Sequence, residues 1–174
     1  GIVHATGISL TGFTCTTAAC DNASDDAILS PGELLTSGQD PDPVLTSISE
    51  GNTGFSIDGL GLSMTFDTIS TDGTISVDLV DPDNVPGLTG STATSGGTIS
   101  TGTVIGRAMT ISAGSATTTG DTTITMQYLD ENLAGIPESN LTISHYENGA
   151  WVEETNCTVD TVNNEVTCTV DSID

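Results

Sequence analysis

CTVDTVNNEVTCTV (residues 157–170) decides the fold. Cys157 and Val159 share one face of an extended run, and Val166, Cys168 and Val170 share one face of the next, with Val162, Asn163 and Asn164 at the bend. If Val159 faces Val166, Cys157 faces Cys168, so a cross-strand disulfide on the buried face is geometrically reasonable. Cys15 and Cys20 would then close a tight local loop. The rival pairing, tying the N-terminal loop to this hairpin, is left open by spacing alone.

The same grammar extends upstream. Leu62, Met64 and Phe66 alternate with Ser63, Thr65 and Asp67, and Ile75, Val77 and Leu79 alternate with Ser76 and Asp78. The turn STDG between these runs predicts a hairpin. Residues 44–50, 53–60, 103–111, 122–129, 140–146 and 150–155 read as further strands, and residues 88–102 as a Gly, Ser and Thr-rich loop. Almost nothing reads as helix, apart from a short turn at residues 31–35 with Ser30 as its cap. The expected fold is an all-β, Ig-like or jelly-roll-type β-sandwich over residues 44–174. Residues 1–43 form a separate N-terminal strand and disulfide-bearing loop.

That first strand, residues 1–13, is apolar on both faces: Ile2, Ile8 and Leu10 on one, Val3, Ala5 and Phe13 on the other. It wants burial between layers, yet a long loop separates it from the sandwich. An assembly arm is the functional expectation, donated by one copy to an open sheet edge of the next in a head-to-tail homopolymer.

Charge narrows the partners. Among 174 residues, 24 are acidic and a single one, Arg107, is cationic, leaving a net charge of −23. Nucleic acid and anionic lipid need basic patches, so neither is expected as a partner. Phosphate-handling enzymes lose their lysines and Arg clamps by the same count. No apolar run approaches the roughly 20 residues of a membrane span. Four cysteines without a Cys-x-x-Cys pattern indicate disulfides and an extracellular or cell-surface location. The opening at Gly1 without Met is read as processing. His4 and His145 form no zinc cluster, there is no Gly-x-Ser-x-Gly elbow, and no carboxylate pair stands out, so no enzyme is expected.

Oxygen-rich turns make calcium the cofactor to consider. The candidate ligands are Asp21, Asp25 and Asp26 in DNASDD, with Asn22 beside them, and Asp81, Asp83 and Asn84 in DPDN. Asp130, Glu131 and Asn132 form a third group. None is an EF-hand, since DNASDDAILSPGE lacks the central Gly and places Glu33 one position late. Asn22, Asn140 and Asn156 head glycosylation sequons, with Asn156 pointing opposite Cys157.

From residue 61 onward the order LSMTFDTISTDGTISV, TVIGRAMTIS, DTTITMQYLDENLAGIPESNLTISHYENGAWVEET and VDTVNNEVTCTVDS resembles a Thr-rich β-sandwich module. This module recurs in large secreted and cell-surface proteins of environmental bacteria and archaea. The resemblance implies a non-catalytic structural or display unit. The family usually continues past DSID into a short aromatic-containing strand, and without it one edge would stay open. The functional expectation is therefore an extracellular filament, pilus-like fibre or surface-layer subunit. The alternative is a calcium-dependent adhesin or carbohydrate-binding module, contacting glycans through loops such as residues 39–43 or 81–87.

Overall fold

The computed structural model describes residues 31–34, 41–89, 97–100, 102–133 and 135–171. Its strands are β1 (Val44–Ile48), β2 (Gly54–Ile57), β3 (Leu62–Thr71), β4 (Gly73–Leu79), β5 (Thr98–Ile99) and β6 (Gly102–Thr103). They continue as β7 (Met109–Ser112), β8 (Thr117–Gln127), β9 (Ser144–Glu147), β10 (Ala150–Glu153), β11 (Cys157–Asp160) and β12 (Glu165–Val170). The protein is all-β, as its period-two alternation requires. A five-stranded antiparallel sheet runs β11-β12-β8-β3-β2 and a three-stranded one runs β1-β4-β7. The pairs β5-β6 and β9-β10 are separate ribbons.

The two larger sheets share one core. Leu62, Met64, Phe66 and Ile69 of β3 meet Ile75 and Val77 of β4, with Ile48, Ile57 and Ile124 alongside. The inward alternation of β3 shifts by one position between Phe66 and Ile69, beside a bulge opposite β8 where the register slips between Phe66 and Thr68. Gly120 allows it with φ +81, since a Cβ there would lie 2.7 Å from the Asp67 carboxylate.

The hairpin predicted at STDG does not form. β3 and β4 belong to different sheets, and the chain crosses between them through Asp72 alone. Both strands carry an apolar row that seeks the same core; stacked in opposite layers the rows face each other, whereas in one sheet they would lie side by side. Asp72 Oδ1 secures the corner by accepting from the Glu50 N–H at 2.6 Å. The next corner, residues 113–116, comes so close that a Cβ on Gly73 would sit 2.2 Å from the Ala116 nitrogen. Residues 49–53 cross from β1 to β2 beside them. Three adjacent crossings stack β1, β4 and β7 over β2, β3 and β8. Among the described residues no strand of the smaller sheet is left to cover β12 and β11.

Over the far end of β12 the cover is irregular. Residues 129–133 and 135–143, with single 3-10 turns at Asp130–Asn132 and Glu138–Asn140, bring Leu141 onto Tyr128, Val166 and Cys168 in a second apolar cluster. Burial, then a hydrogen bond to Glu138 at 2.6 Å, holds the Tyr128 hydroxyl well above its ordinary pKa.

The outer face of the larger sheet is different in kind. Ser56, Ser63, Thr125, Thr167 and Thr158 fall in register across all five strands, and Thr125 and Thr167 share a hydrogen bond of 2.8 Å. This row carries no charge.

Candidate functional site

Two sheet edges, one hairpin and one buried cation bear on function. Among the described residues β1 and β7 each pair with β4 alone. The Val80 N–H donates to the Ala108 carbonyl at 2.9 Å, which fixes the phase of the β4–β7 ladder. Asp78↔Thr110 and Ser76↔Ser112 are then the bonded pairs, and the backbone N–H and C=O of Met109 and Ile111 point away from the sheet. The side chains of Met109 and Ile111 lie on the core side, only half buried. On β1 the same logic turns the backbone of Leu45 and Ser47 outward, and the Leu45 side chain is 68% exposed.

The β9–β10 hairpin closes on Asn148 and Gly149, both at positive φ, 51° and 86°. This is the Asn-Gly turn that suits the twist of a two-residue hairpin. Tyr146 and Trp151 are cross-strand partners with ring centroids 5.3 Å apart, edge to face. Trp151 Nε1 donates to the Pro86 carbonyl at 2.7 Å, which docks the hairpin on residues 81–87. That loop was one of the two predicted contact regions, and an exposed tyrosine now stands beside it.

On the hairpin's other face His145 lies between two carboxylates, Nδ1 2.6 Å from Glu154 and Nε2 2.9 Å from Glu147. Ionised carboxylates only accept, so both ring nitrogens must donate, and the arrangement is complete only for the imidazolium. The pKa of His145 is accordingly raised, first by the bond to Glu147, against a lesser opposing effect of burial and with further help from Glu154.

Arg107, the chain's one Lys or Arg, is buried. Its Nε donates to the Glu33 carbonyl and its Nη1 to the Leu60 carbonyl at 3.5 Å. Burial lowers its pKa to about 10, with the Glu33 carboxylate working in the opposite direction, so it stays charged at neutral pH. Asn132 Nδ2 donates to the Gly32 carbonyl at 3.3 Å and Leu34 is buried. Residues 31–34 are thus clamped to the sandwich without forming the expected helical turn. The sequence showed the lone cation but carried no signal of which carbonyls it would hold.

Cys157 and Cys168 face each other in the predicted register and are bonded, Cα atoms 4.1 Å apart. Asn140 and Asn156 are exposed. Asp81 is engaged as a turn former, its Oδ1 accepting from the Asp83 N–H at 2.8 Å, with Asn84 ending the same 3-10 turn. Among the described residues no three His, Cys, Asp or Glu side chains are grouped to hold a metal ion. No helix among them is long and apolar enough to cross a membrane. Cys15, Cys20, Asp21, Asn22, Asp25 and Asp26, and the arm residues Ile2, Val3, Ile8, Leu10 and Phe13, lie outside the described residues. No family model matches the chain, and it matches neither a curated protein nor a solved structure.

Proposed function

We propose that this protein is an extracellular structural subunit that joins copies of itself head to tail by β-strand exchange. The observation that carries the reading is the three-stranded sheet, whose two edge strands pair with β4 alone among the described residues, in a chain whose residues 1–13 read as an apolar strand. Backbone pairing along such an edge is the usual way one chain extends another's sheet. The Cys157–Cys168 bond suits an oxidising compartment. Repulsion between copies at −23 each is relieved by salt or calcium, and the uncharged hydroxyl row is where acidic neighbours can lie closest. Deleting residues 1–13 is the test. The shortened chain should keep its β-type circular dichroism and sediment as a monomer, while the full chain forms polymers in negative stain. Polymers in undiminished yield from the shortened chain would overturn the reading.

A second reading, a calcium-dependent adhesin or carbohydrate-binding module, is favoured by the exposed Tyr146 next to Trp151 and residues 81–87. Aromatic rings beside a polar loop suit sugar recognition. Calcium-dependent glycan binding by the monomer, lost in Tyr146→Ala, would select it over the filament.

A further inference from the structure

We infer that the acceptor for the exchanged strand is the free edge of β7, and that its occupant is residues 2–13 of a neighbouring copy. This rests on the strand-exchange reading and names its site.

The two candidate edges are unequal. Among the described residues the larger sheet has no strand beneath the far side of β1, since β2 is itself an edge. A strand added there would have no opposing layer. Beyond β7 the larger sheet continues through β12 and β11, so an added strand faces that sheet toward the Val170 end of β12, where Ile143 of the irregular cover packs against the shared core. There it would complete the burial of Met109 and Ile111, whose backbone groups already face outward. Electrostatics agrees. Residues 1–13 contain no acidic side chain, and neither do residues 106–115, which hold β7, whereas β1 sits between Asp42 and Glu50. Neither the donated strand nor β7 itself therefore brings a carboxylate into the new pairing.

The root of the donor is also placed. Arg107, two positions before β7, holds the Glu33 carbonyl, so each copy's arm departs from beside its own β7. With the loop closed between Cys15 and Cys20, the path from Phe13 to Pro31 spans up to about 50 Å. A sandwich of this size is roughly 40 Å across. The arm is long enough to pass its own body and reach the β7 of the next copy, which gives a contact that repeats without closing.

The test is photo-crosslinking in the full chain, with p-benzoylphenylalanine replacing Phe13, in polymers grown from an equal mixture of light and isotope-labelled protein. The expected product joins residue 13 to a peptide containing residues 109–112, about half of it carrying one light and one heavy chain. Crosslinks to residues 44–48 in mixed-isotope products would overturn the β7 assignment and leave strand exchange standing. Crosslinks to residues 109–112 with no mixed-isotope product would overturn the neighbouring copy as occupant in favour of the chain's own arm. Polymers of unsubstituted protein whose yield is unaffected by removal of residues 1–13 would overturn strand exchange itself.

Discussion

The two hairpins of the C-terminal third are built alike and held differently. β11–β12 joins the five-stranded sheet, buries Val166, Cys168 and Val170, and is closed by a disulfide. β9–β10 joins neither large sheet; it has an Asn-Gly turn, an aromatic pair, one indole hydrogen bond to Pro86 and a histidine between two glutamates. Covalent closure and apolar burial make the first part of the scaffold. Polar, partly exposed ties make the second adjustable, which is the property of a contact surface rather than a core.

Breaking the stronger hairpin should have the largest effect. Replacing Cys157 and Cys168 together by Ala should lower global stability by about 2–4 kcal/mol, from the lost loop constraint and loosened packing. Chemical denaturation measures it, and an unchanged midpoint would show that burial alone holds β11–β12. Trp151→Ala should act on the other hairpin only, costing about 1–2 kcal/mol of docking through the lost ring contact and hydrogen bond. Amide exchange should accelerate over residues 144–153 and stay unchanged over β12; acceleration in both would mean the hairpins are one cooperative unit.

The smallest effect is titratable. His145 has a raised pKa in the folded chain, so its bonds to Glu147 and Glu154 contribute fully below the unfolded value of about 6.5. That contribution is lost as pH rises through the elevated folded pKa. Trp151 is the only tryptophan and reports directly. Its emission should shift over that rise in the parent protein and stay flat in His145→Gln; a flat parent profile would remove the switch from the comparison.

The ease of reading these regions from sequence follows from how local their causes are. The register and pairing of β11–β12 depend on a bend and two short alternating rows inside fourteen residues, and all of it was legible. The strands of β9–β10 were read as residues 140–146 and 150–155 without their pairing as a hairpin, and neither Trp151 on Pro86, 65 positions away, nor the pairing of His145 with Glu154 was legible. β3 and β4 show the limit most clearly. Their alternation was correctly read, and the STDG turn signal was real, but a turn that folds a strand back and a corner that sends it into the opposite sheet use the same residues. The crossing is chosen by the shared core and by how closely Gly73 meets Ala116.

By itself, then, the sequence determined that the chain is all-β, where most strands run, how its last two strands pair and which partners its charge repels, because alternation, turn residues and net charge act over a few positions or through simple sums. Only the tertiary structure decided which strands share a sheet, that the one arginine ties residues 31–34 to the sandwich, and which strands are edges among the described residues. Those depend on apolar surfaces and carbonyl groups meeting across long stretches of chain, and no local pattern records which of them will meet.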